Sequence, residues 1–376
     1  MRVIYDHQVF SNNGKSGISR YFVELASQLS KFPDVRLKIV APISRSPLLS
    51  EQRGQCATLG VDLVGVPMAT SLPDRLVRLI NELLVREYAR FTVPDIFHET
   101  FYATARTAPR GSRIVATVHD TIPERVPGVT SNLIRYHAER QRVLSRADWL
   151  ICVSESTRSD LLELYDVDPL RVSVVRLASS LTISREGPID IGAPYLLHVG
   201  NRFPHKNFNR IIHAFGDAKL HRTHKLVSFT NKQWSGDELN VMRSAGVPES
   251  AMVTVSGNDA LLARFYAGAD ALAFPSLYEG FGIPLVEAMR VGCPIVTSKT
   301  SSMPEVAGNA AIYVDPKDSS AIADALMQVT SSAETRLHLI ALGRAQSLKF
   351  SWEQCAAETY AVYKNLLAGD LNTSTK

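Results

Sequence analysis

Sixteen residues constrain this chain more than any others: Phe274-Pro-Ser-Leu-Tyr-Glu-Gly-Phe-Gly-Ile-Pro-Leu-Val-Glu-Ala-Met289. The apolar run Ala271 to Phe274 that leads into them reads as a buried strand. Helical patterning follows from about Pro284 to Arg290. Proline suits the first helical position, because its missing N–H would find no partner there. Strand, glycine-bearing loop and helix in that order present free backbone N–H groups and the positive end of a helix dipole, which together favour an anion such as phosphate. Gly280 and Gly282 allow a ligand close to the backbone. Glu279 on the loop and Glu287 on the helix add two carboxylates, one able to accept hydroxyl hydrogen bonds from a sugar and the other from a ribose. A phosphate held between two polyols needs those parts. The plain alternative is a packed strand–loop–helix carrying two solvated glutamates.

The rest of the chain repeats the alternation of strand and helix that makes a parallel sheet. Strands are predicted at Arg2–Asp6, Leu37–Ala41, Val61–Val66, Asp95–His98, Arg113–Val118, Trp149–Val153 and Val172–Val175, with helices at 18–30, 75–91, 131–146 and from Ser154, a natural N-cap. The helix 75–91 carries Leu76, Leu79, Ile80, Leu83 and Leu84 on one side and four arginines. It reads as a domain helix with its charged face in water, the alternative being a helix lying on a membrane surface. From Ser179 to Ala193 apolar periodicity fades and Gly187, Pro188 and Gly192 appear, the mark of a linker. A second set of strands starts at Tyr195–Val199 and continues through Val227–Phe229, Met252–Val255 and Ala271–Phe274. A last helix is predicted from Trp352 to Leu367, and the tail from Asp370 is expected to be disordered.

Two further loops repeat the strand–glycine–helix order. Ser11–Gly17 follows the first strand but is neither a GxGxxG nor a Walker loop. Gly200-Asn-Arg-Phe-Pro-His-Lys-Asn207 enters a helix at Phe208 and carries Arg202 and Lys206, cations able to neutralise a leaving pyrophosphate. His119 closes the strand Arg113–Val118, and a residue there faces the ligand crevice of an open α/β sheet; Asp120 is expected to orient it.

With 376 residues the chain suits two domains. No apolar run reaches the length of a membrane span, and the start reads directly into a strand without a signal peptide. Cys56, Cys152, Cys293 and Cys355 are scattered, which argues against a zinc site and suits a reducing compartment. The net charge of +4 lies wholly within residues 1–180. It suits an anionic lipid or a pyrophosphate-linked acceptor and is too small to argue for nucleic acid.

The spacing of Glu279 and Glu287, with Gly-Phe-Gly-Ile-Pro and Glu-Ala-Met around them, resembles the Glu-x7-Glu signature of retaining GT-B glycosyltransferases of family GT4. The Gly200 to Lys206 segment resembles the family's Gly-x5-Lys loop, and His119-Asp120 its His-Asp. It departs at Asn201, where many members have arginine, and at His205, where one branch has arginine; Lys206 is therefore the firm match and Arg202 a displaced substitute.

The resemblance implies an α/β GT-B fold: two Rossmann-like domains with a deep cleft between them and a C-terminal helix crossing back. Residues 1–180 with about 352–368 would form the acceptor side and 194–350 the nucleotide-sugar side. It implies catalytic roles for Glu279, His119, Lys206 and Arg202, donor contacts by Gly17, Asn258, Gly280, Phe281, Gly282, Ile283, Leu285 and Glu287, and an acceptor contact by Lys15. Asp259 is expected to cap the following helix. Transfer would retain the anomeric configuration and need no metal or other cofactor. The style of the motifs is most similar to bacterial mannosyltransferases of surface-polysaccharide assembly. This implies GDP-mannose as donor and a glycan on a polyprenyl-pyrophosphate as acceptor, met by a cytoplasmic enzyme peripheral at the inner membrane. A UDP-sugar transferase, a glycoside hydrolase, a nucleotide-sugar epimerase and a non-catalytic sensor remain as alternatives.

Overall fold

The computed structural model describes residues 1–11, 17–46, 49, 61–67, 72–102, 105–130 and 132–373. The chain divides into two compact units, Met1–Thr121 with Asn132–Leu177 and Trp352–Lys376, and Ile122–Ser131 with Ala178–Ser351. The stretch expected as a linker thus groups with the second unit, as does the short segment 122–131.

In chain order the first unit holds β1 (Arg2–Tyr5), α1 (Gly17–Leu29), β2 (Arg36–Ser44), β3 (Asp62–Pro67), α2 (Asp74–Thr92), β4 (Ile96–Glu99) and β5 (Arg113–Val118). After α3 (Ile122–Arg125) it resumes with α4 (Leu133–Arg146), β6 (Trp149–Cys152), α5 (Glu155–Leu164) and β7 (Val172–Val174). Its seven strands lie in the order β3-β2-β1-β4-β5-β6-β7, every pair parallel. Such a sheet is buried on both faces, which is why its strands are near-continuous apolar runs rather than alternating ones.

The second unit holds β8 (Tyr195–Val199), α6 (Phe208–Asp217), β9 (Lys225–Phe229), α7 (Gly236–Ser244), β10 (Met252–Val255), α8 (Asp259–Gly268) and β11 (Ala271–Phe274). It continues through α9 (Ile283–Val291), β12 (Ile295–Ser298), α10 (Met303–Ala307), β13 (Ile312–Val314), α11 (Ser319–Ser331) and α12 (Ala333–Ser347). The order β10-β9-β8-β11-β12-β13 repeats the plan of the first sheet. In each sheet the winding reverses between the first and fourth strands of its set, β1/β4 and β8/β11. Open α/β sheets bind ligands at the carboxyl ends of the two strands where the order reverses.

The last helix, α13 (Trp352–Thr373), belongs to the first unit and packs along α1. Tyr363 hydrogen-bonds His98 Nδ1 at 2.6 Å and lies 3.4 Å from the Tyr5 hydroxyl, while Tyr360 stacks on Phe32 with ring centroids 4.3 Å apart. Instead of a disordered tail from Asp370, the helix runs on to Thr373.

α2 overturns the face expected of it. Val77, Asn81, Val85 and Ala89 are the buried residues, while Leu76, Leu79, Leu83 and Leu84 face outward. The cause lies in β2, whose register against β3 shifts between Val40 and Ile43. Asn81 Oδ1 accepts from Ile43 N at 2.7 Å and its Nδ2 donates to Ile43 O at 2.8 Å. Both partly buried backbone groups of Ile43 are thereby paired, with the Asn81 side of the helix turned inward. Cys152, Cys293 and Cys355 are buried and free, and burial pushes their thiols up. Cys56 lies outside the described residues.

Candidate functional site

The second unit brings two of the expected residues together. Lys206 follows β8 and Glu279 follows β11, so both stand at the carboxyl ends of the pair of strands where the sheet order reverses. Lys206 Nζ donates to Glu279 Oε1 at 2.7 Å, with side chains 15% and 9% exposed. The ammonium also lies 4.8 Å from the centroid of the Phe274 ring. Asn207, in a left-handed conformation at φ 60°, pins this loop by donating from Nδ2 to Pro275 O and Pro316 O at 2.9 and 2.7 Å. Leu277 N donates to His205 O at 2.7 Å and ties the two loops to each other.

The Glu279 loop is held from below by residues that the sequence did not single out. Glu279 N donates to Ser301 Oγ at 3.0 Å. Ser302 Oγ, fully buried, donates to Glu279 O at 3.0 Å and Phe281 O at 2.9 Å. Ser301 itself sits at φ 47°, a conformation uncommon for a residue with a Cβ. Gly282, at φ 97°, caps α9 where such backbone needs glycine. Phe281 and Leu285 are 3% and 0% exposed, and Phe281 packs edge-on against Phe350 at 5.7 Å. Of these two residues, only the backbone can meet a ligand without repacking. Ile283 is partly exposed and Gly280 is buried. Glu287 is buried and accepts from the Tyr266 hydroxyl at 2.9 Å; burial first and Glu287 second push that phenol up.

Arg202 does something other than expected. Its guanidinium pairs with Glu238 through two nitrogens and donates to Lys232 O, Gln233 O and Ser228 Oγ. The plane lies over Trp234 at 4.4 Å and Phe208 at 5.6 Å, and the side chain is 4% exposed. Burial would raise the Glu238 carboxyl, but Arg202 and the Ser235 capping box hold it below its usual value. Arg202 therefore braces the loop against α7, and of the two expected cations it is Lys206 that meets Glu279. His205 is mostly buried; burial lowers its pKa, with Glu279 opposing and Lys206 reinforcing. Asn258, not Asp259, caps α8, accepting from Leu261 N at 3.0 Å.

The first unit holds His119 at the end of β5. The ring is 7% exposed and its Nε2 has no hydrogen-bond partner. Burial drives its pKa down to about 3 against a hydrogen bond with the Thr100 backbone, with Arg140 lowering it further. Tyr21 and Phe22 of α1 meet the ring edge-on at 5.7 and 5.8 Å. The result is a neutral imidazole whose Nε2 is buried and unpartnered. The Asp120 carboxylate lies 3.9 Å from Arg140. Arg140 is fully buried between the rings of Tyr102 and Tyr136, at 4.6 and 4.9 Å. Gly17 is the first residue of α1 and exposed; Lys15 lies outside the described residues.

Sequence reasoning missed Asp6 and Glu99, which stand at the ends of β1 and β4. Asp6 is buried and accepts from Thr100 N at 3.0 Å. Glu99 is buried, and burial pushes it up to about 7 although Arg146 binds it with two contacts of 2.9 Å. The strand order could have pointed to both.

Comparison with known proteins decides the family. A model described as "Glycosyltransferase Family 4" matches residues 15–178, and one described as "Glycosyl transferases group 1" matches residues 180–346. The chain is a glycosyltransferase, with a family 4 domain followed by a group 1 domain. This glycosyltransferase is 28% identical over 379 residues to the O-antigen chain mannosyltransferase B of Escherichia coli, covering 93% of the chain and 96% of the relative. It is 29% identical over 332 residues to the O-antigen chain mannosyltransferase RfbU of Salmonella typhimurium, covering 82% and 86%. The sucrose-phosphate synthase structure from Thermosynechococcus elongatus superposes with a TM-score of 0.77 at 15% identity, over 98% of this chain and 99% of that one. The enzyme thus has the GT-B fold, with two parallel-sheet α/β units and a C-terminal helix.

Proposed function

We propose that this glycosyltransferase moves mannose from GDP-mannose to a growing O-antigen glycan, with retention of anomeric configuration and without a metal ion. The similarity to two O-antigen mannosyltransferases, each covered over more than four fifths of its length, carries this reading. In it the donor lies on the second unit. Its diphosphate takes the place of Glu279 at the Lys206 ammonium, where a buried positive charge stabilises the leaving group as its negative charge grows. Glu279, released from Lys206, accepts hydrogen bonds from the sugar hydroxyls. Glu287 takes the ribose, with Tyr266 holding its carboxylate in place. His119 accepts from a hydroxyl of the mannose through its unpartnered Nε2. The acceptor hydroxyl attacks from the face that the diphosphate leaves, and the departing phosphate takes its proton, so the protein supplies position and charge rather than a nucleophile.

The acceptor in this reading is a glycan on a polyprenyl-pyrophosphate, and the enzyme meets it as a peripheral protein. No described helix is long and apolar enough to cross a membrane. The deciding experiment compares nucleotides. GDP and GDP-mannose should raise the melting temperature well above any effect of UDP or UDP-sugars, and transfer from GDP-mannose should continue in chelator. A larger response to UDP would replace the donor, and loss of transfer in chelator would end the metal-independent mechanism.

A further inference from the structure

A chain of buried polar side chains runs from the last helix to the rings around His119. Tyr5, His98 and Thr117 stand on β1, β4 and β5, which are neighbours in the first sheet. Tyr5 is the register partner of His98, and the partner of His98 on β5 is Val115, two residues before Thr117. Side chains alternate along a strand, so these three share one face of the sheet. Tyr363 of α13 meets them there. His98 Nδ1 lies 2.6 Å from the Tyr363 hydroxyl and His98 Nε2 lies 2.8 Å from Thr117 Oγ1. Thr117 Oγ1 lies 3.4 Å from the Tyr21 hydroxyl, the same distance as separates the hydroxyls of Tyr5 and Tyr363. Every member of the chain is buried. Burial keeps His98 neutral, so one of its nitrogens donates and the other accepts. Held at both, the ring cannot turn without breaking a hydrogen bond.

The chain ends on the walls of His119. Phe22 meets the His98 ring edge-on at 5.3 Å and the His119 ring edge-on at 5.8 Å. Tyr21 meets His119 at 5.7 Å and Trp352, the first residue of α13, at 6.2 Å. His119 follows Thr117 by two residues and keeps its unpartnered Nε2. Each aromatic wall of His119 thus rests on a side chain that α13 supplies or fixes. Attachment of α13 alone does not call for this. Apolar side chains of the same shape would hold the helix about as well, because a buried hydrogen bond adds little net stability whereas an unmet polar group costs more. What a fully partnered polar chain adds is a single arrangement of its rings.

We propose that Tyr363 is a positioning residue for His119, acting through His98 and Thr117 on the Phe22 and Tyr21 rings that flank it. The inference rests on the reading of His119 as a sugar contact and ties that contact to the last helix of the chain.

The test compares Tyr363→Phe with Tyr360→Ala in the full chain. Tyr360, about one turn earlier, docks the same helix by stacking on Phe32 and donating to Asp34 at 2.9 Å. Calorimetric titration with GDP and with GDP-mannose separates nucleotide from sugar. Tyr363→Phe should weaken GDP-mannose binding by about three- to ten-fold, the size of one misaligned hydrogen bond, and leave GDP binding unchanged. Tyr360→Ala should lower the melting temperature and leave both affinities at wild type. Thr117→Val should repeat the Tyr363→Phe pattern, and Thr117→Ser, which keeps the hydroxyl, should recover most of the affinity. In histidine-selective nitrogen spectra the His119 signals, assigned by their loss in His119→Gln, should shift in Tyr363→Phe and stay in place in Tyr360→Ala. Unmoved His119 signals in Tyr363→Phe would overturn the proposal. So would wild-type GDP-mannose affinity in Tyr363→Phe when His119→Gln is impaired, or an equal loss in Tyr360→Ala. Wild-type GDP-mannose affinity in His119→Gln, with the His119 signals still shifted in Tyr363→Phe, would instead fault the sugar contact and leave the positioning chain standing.

Discussion

At the scale of single residues the ion pair of Lys206 and Glu279 bears most of the proposed chemistry. Each holds the other in place, and a diphosphate outcompetes one carboxylate because it brings more negative charge to the same ammonium. Lys206→Ala should therefore lower kcat/KM by about a hundred- to a thousand-fold, the usual cost of removing one preorganised group that faces developing charge. Glu279→Gln keeps the shape of the side chain and loses the charge, and a drop of similar size is expected. Steady-state kinetics with a far-ultraviolet spectrum of each variant checks this. Wild-type rates in both variants would remove the pair from the mechanism. Arg202→Ala belongs to a different class: it should lower the melting temperature through the loss of its Glu238 and Trp234 contacts.

At the scale of elements the loop after β12 sets where Glu279 stands. Ser302 Oγ donates to two carbonyls of the Glu279 loop. Ser302→Ala leaves both without that partner, so the loop should loosen where the sugar is held. A fall in kcat larger than the rise in donor KM is expected, with Ser302→Thr recovering more of the rate than Ser302→Ala; equal kcat in wild type and Ser302→Ala would reduce the contact to packing. How much of this was legible follows from distance along the chain. Lys206 and Glu279 are far apart in sequence, yet each ends a strand with a glycine loop, so periodicity and turn chemistry found both. The partners of Arg202 gave no such signal, because Glu238 lies inside a capping box that reads as an ordinary helix start. Asp259 reads as a helix cap, yet its neighbour Asn258 takes that place, since both residue types suit it. The leucines of α2 were read inward by hydrophobicity, whereas a polar Asn81 decides the face by completing the backbone of Ile43.

At the scale of the whole molecule the buried titratable groups set a dependence of stability on pH. His98 and His119 in the first unit and His198 in the second are each lowered to about 3, with burial the leading cause. In an unfolded chain a histidine titrates near 6.5, so between about 6.5 and 3 the unfolded state binds protons that the folded state refuses. Stability is then fully present above the unfolded value and falls as the pH falls. Glu99 works the other way: burial lifts it from 4.5 to about 7, so across that interval the folded state holds the extra proton and acidification favours it. From pH 6.5 to 4.5 the lowered His7, His98 and His119 oppose the raised Glu82 and Glu99 in the first unit, and the lowered His198 and His205 act together in the second. Both units should therefore lose stability on acidification, with net proton uptake on unfolding. Urea unfolding at a series of pH values reads this directly, and His198→Gln should flatten the slope of the second unit while leaving that of the first unchanged. A stability that stayed level or rose between pH 6.5 and 4.5 would mean that these imidazoles accept protons in place, and the neutral His119 on which the sugar contact depends would go with them.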